Sequence, residues 1–250
     1  MTRASLAFAM LAISCVSASS AASVTADSIT QSRYGDETCI KWTELHRAVA
    51  TPESIASDHW ILGYLDGLAK FTNDESRKKN STSTDMLQGL KAPILTLMED
   101  YCRGNTGRTI QEAISALSAE MIATQPQKSP APNTITKVSG YGAETCVTWT
   151  KLHHAVGTTE SIASDHWILG YLDAIARYNN SLSQMQGFPG ADPKASPSDM
   201  LRGLDREATL ALLEDYCAGY AQQTIQDAIG VLSKQLVANE PRVTKLRSVR

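Results

Sequence analysis

The chain is poor in aromatic residues, in net charge and in long apolar runs. No segment reaches the roughly 20 consecutive apolar residues that a transmembrane helix needs. The formal net charge is −3 over 250 residues, so neither nucleic acid nor an anionic membrane surface is an expected partner. No stretch shows the alternating pattern of a β-strand. The hydrophobic fraction of 42% is nevertheless too high for a disordered chain, which leaves a soluble, helical globular protein.

The five cysteines are an odd number, which needs an explanation in an exported protein. Residues 1–22 have the pattern of a secretory signal peptide, with Arg3, an apolar stretch over 6–13 and a run of small residues over 17–22. Removal of this segment discards Cys15 and leaves an even set of cysteines, which suits an oxidising compartment. We therefore expect a periplasmic or secreted protein. The alternative is a lipoprotein anchored through Cys15, because the residues before it loosely match a lipobox.

An internal duplication is the strongest feature of the sequence. Residues 53–66 return without a change as residues 160–173, and residues 34–42 return with few changes as 141–149. The offset grows from 107 residues (34 to 141) to 115 (102 to 217), and the extra residues fall mainly in a Gly- and Pro-rich segment over 181–198. The chain is therefore predicted to contain two copies of one helical unit.

The predicted fold is all-α, with two tandem small four-helix domains that are each closed by one disulfide. The boundaries separate a signal peptide, a first repeat, a Pro-rich linker, a second repeat and a basic C-terminal tail. These segments are 1–22, 33–124, 125–139, 140–239 and 240–250.

Local patterns place four helices in the first copy. The first spans 37–50, with Trp42, Leu45 and Val49 on one side. The second runs from Pro52 to about residue 71, and Thr51 caps it.

The third helix spans 84–102, and Pro93 should kink it or split it into a short and a longer piece. The fourth begins at Thr109 with the capping-box spacing to Glu112. On the second helix, Gly63 and Gly67 share one stripe, where the missing side chains would let a neighbouring helix approach closely.

One cysteine opens the first helix of each copy and another closes the third. Pairing within a copy, Cys39 with Cys102 and Cys146 with Cys217, is the economical arrangement. Such a bond would stabilise by about 4 kcal/mol in the chain-entropy model. The alternatives are pairing between the copies, or a metal site, although a zinc site favours four ligands in short clusters.

The histidines and carboxylates form no convergent set of acid, base and nucleophile, so an enzyme is not expected. His59 and His166 are predicted at the border of the buried face, and His46 and His153 could approach them to bind a metal ion, although no metal and no cofactor is predicted. Asp66 and Asp173 interrupt the most apolar helix. They mark either its solvent edge or a polar anchor for a partner.

The aromatic residues recur at matching positions together with glycines and cysteines. Trp42, Trp60 and Tyr64 are predicted to lie in the core and not to form a stacking platform for nucleic acid. The shared motif comprises Cys39, Trp42, Trp60, Gly63, Tyr64, Gly67, Tyr101 and Cys102, and then Cys146, Trp149, Trp167, Gly170, Tyr171, Tyr216 and Cys217, with Ala174 in place of Gly67.

This motif resembles that of the Rap/Tai immunity proteins, small periplasmic helical proteins related in general organisation to the HdeA acid-stress chaperones. The resemblance covers both copies. It implies a non-catalytic protein that binds and blocks a peptidoglycan amidase toxin delivered by type VI secretion, with contacts in the loops over 73–84 and 179–198. The alternatives are an HdeA-like chaperone and a structural periplasmic protein of undefined role. The oligomeric state is not predicted.

Overall fold

A computed structural model of the chain describes residues 34–78, 91–124, 140–185 and 206–246. Within these ranges the protein is all-helical, with eight α-helices, two short 3-10 helices and no β-strand. The α-helices are α1 (Cys39–Arg47), α2 (Pro52–Lys78), α3 (Lys91–Gly104), α4 (Ile110–Thr124), α5 (Cys146–His153), α6 (Thr159–Met185), α7 (Arg206–Gly219) and α8 (Ile225–Leu246). The 3-10 helices, Tyr34–Asp36 and Tyr141–Ala143, precede α1 and α5. None of the described helices is long and apolar enough to span a bilayer.

The first helix is shorter than the predicted span of 37–50. It ends at Arg47, and Ala50 then adopts a left-handed backbone conformation with φ of 64°. That conformation cannot continue a right-handed helix. As a result Val49 is 83% exposed and does not pack beside the buried Trp42, as the periodicity had predicted.

The second helix begins at Pro52 as predicted. The hydroxyl of Thr51 accepts a hydrogen bond of 3.1 Å from the backbone N–H of Ser54, so Thr51 is the predicted cap. The helix continues past residue 71 to Lys78. Gly63 and Gly67 lie in its central part, and their role is described below.

The third and fourth helices meet at a tight turn. α3 spans Lys91–Gly104 in the described residues, and Pro93 lies near the start of that range. The predicted start at residue 84 lies outside the described residues, so the predicted kink or split at Pro93 stays a prediction. The capping box before α4 is confirmed, because Thr109 N–H donates to Glu112 Oε2 (2.9 Å) and Glu112 N–H donates to Thr109 Oγ1 (3.2 Å).

Disulfides within each copy tie the start of one helix to the end of another. Cys39 bonds to Cys102, and Cys146 bonds to Cys217, which confirms the pairing within copies and excludes the alternatives of pairing between copies or binding a metal through these cysteines. The adjacent backbone reinforces the junction, since Cys39 N–H donates to the carbonyl of Arg108 (2.7 Å). The ends of α1, α3 and α4 therefore form one tied corner in the first copy.

The most extensive contact between any two described helices joins the two copies. The prediction treated them as tandem domains, whereas α2 of the first copy packs along α6 of the second. The core of the first copy includes Ala174 from the second, and Leu62 of the first copy packs against the core of the second. The described residues accordingly belong to one compact unit.

Candidate functional site

The glycines of α2 and α6 bring the two helices into backbone contact. A Cβ atom added to Gly63 would lie 1.9 Å from the carbonyl oxygen of Trp167, and one added to Gly170 would lie 2.0 Å from that of Trp60. Neither position has room for a side chain, because real Cβ atoms do not approach so closely. The predicted close approach of a helix at Gly63 is therefore confirmed. The approaching helix is α6, which is the equivalent of α2 in the second copy.

These contacts are reciprocal, as in a two-fold symmetric dimer. The stack of Phe71 on Tyr178, with ring centroids 4.9 Å apart, joins matching positions of the two copies. Gly67 likewise faces its counterpart Ala174. In a two-fold symmetric arrangement, a residue contacts its equivalent only near the symmetry axis. An approximate two-fold axis therefore passes between these pairs. Later residues of α2 contact later residues of α6, from Gly63 with Trp167 to Phe71 with Tyr178. The two helices therefore run in the same direction.

The two aspartates of the central helices accept hydrogen bonds across the copies. Trp60 Nε1 donates to Asp173 Oδ2 at 3.0 Å, and Trp167 Nε1 donates to Asp66 Oδ2 at 3.0 Å. Both indoles are buried, and a buried N–H group needs a hydrogen-bond acceptor. Each aspartate supplies that acceptor, which explains a carboxylate in the middle of an apolar helix. Contact of Asp66 and Asp173 with an external partner stays a prediction.

A second reciprocal contact pairs a tyrosine of each copy with a histidine of the other. The Tyr34 ring meets the His166 ring at 5.5 Å and Tyr141 meets His59 at 5.6 Å, both edge to face. The hydroxyl of Tyr34 is 3.4 Å from His166 Nε2. Sequence reasoning named the histidines and missed these tyrosines, although each precedes its cysteine by the same spacing in both copies.

Burial favours the uncharged forms of the histidine and tyrosine rings in this contact. The pKa of His166 is lowered to about 4, chiefly by desolvation and then by the positive charge of Arg206. Its Nδ1 lies 2.8 Å from the carbonyl oxygen of Ile162, an acceptor that requires Nδ1 to carry the proton. Burial also lowers the pKa of His59 and raises that of Tyr34 to about 12. The contact is therefore built from neutral rings at neutral pH.

A histidine–aspartate pair joins the first two helices of each copy. His46 Nδ1 lies 2.8 Å from Asp58 Oδ2, and His153 Nδ1 lies 3.0 Å from Asp165 Oδ2. Burial raises the pKa of both aspartates, and the neighbouring histidines oppose that shift. The hypothesis that His46 and His153 reach His59 and His166 to bind a metal ion is replaced by this pairing.

The twelve-residue spacing of this pair, repeated in both copies, is a signal that sequence reasoning missed. Each of the two histidines also stacks on a buried tryptophan, Trp42 or Trp149, with ring centroids 4.8 and 4.9 Å apart.

Among the residues that the structure describes, no group of three or more His, Cys, Asp or Glu side chains could hold a metal ion.

Two further motif tyrosines pack inside the two cores. Tyr64 and Tyr171 are buried, and each lies against the tryptophan one turn before it, Trp60 or Trp167, at 5.1 Å between ring centroids. The Tyr171 hydroxyl accepts a hydrogen bond of 2.9 Å from Gln226 Nε2 on α8. The aromatic motif therefore connects the central helix pair to the outer helices.

Comparisons with known proteins provide no relative from which a role could be transferred. No family model matches the chain, and no curated protein or solved structure matches it. The interpretation of this interface therefore depends on the residues described above.

Proposed function

We propose that the protein is a non-catalytic binding protein that acts outside the cytoplasm. Its sequence motif resembles that of immunity proteins, so the proposed partner is a peptidoglycan amidase toxin, whose active-site cleft the chain would block. Such a role needs a rigid shape and no reacting groups of its own, because preorganisation lowers the entropic cost of binding.

The observation that carries this proposal is the use of polar side chains inside the central interface. Asp66 and Asp173 accept hydrogen bonds from indoles across the two copies, and Asp58 pairs with His46 between α1 and α2, so these three carboxylates serve to join helices. A hydrogen-bonded and tightly packed interface favours a fixed scaffold. In this proposal the two copies are halves of one two-fold unit and not two independently moving domains.

The proposed contact loops, 73–84 and 179–198, follow α2 and α6 directly or overlap their ends. Residues 73–78 and 179–185 are helical and not, as predicted, loop, whereas 79–84 and 186–198 lie outside the described residues. Contact of these segments with a partner stays a prediction. Since α2 and α6 run in the same direction, the described C-terminal ends of both helices lie at the same end of the central pair. A single partner could then contact both loops.

Direct binding to an amidase tests this proposal. The chain without residues 1–22 is mixed with a purified amidase encoded beside its gene, and complex formation is followed by calorimetry while peptidoglycan hydrolysis is followed by turbidity. We expect a stoichiometric complex and loss of hydrolysis. An amidase from an unrelated secretion system is the control. Unchanged hydrolysis at excess protein, for every amidase encoded nearby, would reject the proposal.

A second candidate is an acid-protective chaperone, and the buried His166 favours it. Protonation of this ring below its pKa of about 4 would place a positive charge inside the copy interface and beside Arg206, which would loosen it and expose apolar surface. Light scattering of an aggregating client protein at about pH 2 to 3 tests this role. A chain that leaves the scattering unchanged is not such a chaperone.

A further inference from the structure

The turn between the last two helices of each copy has a different charge in the two copies. In the first copy, two arginines neutralise two carboxylates at this turn. Arg103 Nη1 lies 3.1 Å from Asp100 Oδ1, and Arg108 Nη1 lies 3.1 Å from Glu112 Oε1. The turn of the first copy therefore satisfies its own charges.

The second copy keeps both carboxylates and lacks both arginines. Asp215 and Asp227 occupy the positions of Asp100 and Glu112, whereas Ala218 and Gln223 occupy those of the arginines. Asp227 accepts a hydrogen bond of 2.7 Å from the neutral hydroxyl of Thr224. Among the described residues, neither carboxylate forms a salt bridge, so the two arginine partners of the first copy have no equivalent at this turn.

Two tyrosines that lie between these carboxylates in the sequence stack on each other. Tyr216 and Tyr220 have ring centroids 4.6 Å apart and an interplanar angle of 25°. Tyr220 is 53% exposed, and the hydroxyl of Tyr216 donates to Gln223 Oε1, which orders the pair. The first copy has Asn105 in place of Tyr220, and its amide donates to the carbonyl of Tyr101. Among the described residues, this stacked pair of one exposed and one partly buried tyrosine is therefore present in the second copy alone.

We propose that this turn, defined by Asp215, Tyr216, Tyr220 and Asp227, docks an arginine-bearing segment of a protein partner. A guanidinium stacks on aromatic faces and pairs with carboxylates, and both kinds of group are present here. The partner's arginine would supply the charge that Arg103 and Arg108 supply in the first copy. Leu212, one helical turn before Tyr216 and partly exposed, adds apolar surface for the residue beside that arginine.

A pair of peptides tests the docking surface directly on the chain without residues 1–22. The probe is the acetylated and amidated peptide Leu-Arg-Ala-Arg, and its control has citrulline in place of each arginine, which keeps the shape and removes the charge. NMR titration should shift the ring signals of Tyr216 and Tyr220. We expect the arginine peptide to bind at least about fivefold more tightly than the citrulline peptide.

Exchange of side chains between the copies gives matched variants. The variant A218R restores the cation that Arg103 supplies in the first copy and keeps Gln223, the acceptor of the Tyr216 hydroxyl, so it should weaken the binding of the arginine peptide. The variant A218Q changes the same position without adding charge and should keep that binding. Equal affinity for both peptides, no binding of either, or unchanged binding to A218R would overturn the docking surface.

This inference rests on the proposed function, and the two can fail separately. If the chain blocks an amidase but the peptide experiment is negative, the docking surface is wrong and the proposed function stands. If the arginine peptide binds at the tyrosines but no amidase binds, the surface stands and its partner is a different arginine-bearing protein.

Discussion

The indole of Trp60 donates a hydrogen bond of 3.0 Å to the carboxylate of Asp173, which lies 113 residues later in the chain. Trp167 and Asp66 repeat this bond in the opposite direction. A bond that occurs twice, once from each copy, holds the central helices α2 and α6 in one relative position. Several measurable properties depend on this interface.

Removal of the indole hydrogen bond should weaken the whole molecule. Replacement of Trp60 by Phe leaves the carboxylate of Asp173 without this buried donor, so we expect a loss of about 1–3 kcal/mol in the free energy of unfolding. Urea unfolding of W60F, D173A and the double variant gives the measurement. The losses should not add, because both single changes remove the same bond. Fully additive losses would show that the two residues are not coupled.

A methyl group at Gly63 should separate the central helices. The added Cβ would lie 1.9 Å from the carbonyl oxygen of Trp167, and backbone cannot move aside as a flexible side chain can. We expect G63A to lose about 3 kcal/mol or more, in line with severe overpacking. Thermal unfolding provides the readout.

The matched control is G230A, since Gly230 lies within α8 and an added Cβ there meets no atom within 4 Å. Alanine is favoured over glycine inside a helix, so G230A should gain about 0.5–1 kcal/mol. A similar change in stability for both variants would argue against backbone contact at Gly63.

Loss of one disulfide should destabilise the chain without changing its helix content in the folded state. The bond between Cys39 and Cys102 spans 63 residues, for which the chain-entropy model gives about 4 kcal/mol. The variant C39A/C102A should therefore unfold at a lower urea concentration, and far-ultraviolet circular dichroism should stay unchanged before the transition. The corresponding variant of the second copy, C146A/C217A, should behave alike, and a much smaller loss in both would contradict this account.

Stability should fall with acidification in a window set by His166. Its pKa is lowered from an ordinary value of 6.5 to about 4 in the folded protein, so the unfolded state binds a proton at a higher pH than the folded state does. Stability is therefore fully present above pH 6.5 and is lost as the pH falls towards about 4, by up to about 3 kcal/mol.

The variant H166Q isolates this effect, because glutamine keeps a polar side chain that does not titrate. The difference in unfolding free energy between the parent chain and H166Q should shrink or reverse between pH 6.5 and pH 4. Other groups cancel in that difference, including Asp58 and Asp165, whose raised pKa values act in the opposite direction. A difference that does not vary with pH would exclude His166 as the titrating group.

The local features of the fold could be predicted from short stretches of sequence. The cap at Thr51, the box between Thr109 and Glu112 and the disulfide pairing all depend on residue types at fixed spacings. The end of α1 was predicted wrongly because Ala50 adopts a left-handed backbone conformation. Alanine favours helices, so the residue type gave no indication of this conformation. Periodicity likewise extended the helix to Val49, which the turn instead exposes.

The sequence alone determined the all-helical class, the two copies and the closeness of some helix to Gly63, because propensity, repetition and side-chain size are local properties. Tertiary structure alone decided that this helix is α6, that Asp66 and Asp173 bind indoles of the other copy, and that His166 is kept neutral. These facts depend on residues that are more than 100 positions apart along the chain, and no local pattern specifies which buried surfaces meet. Their contact is decided by the free energy of packing the whole molecule.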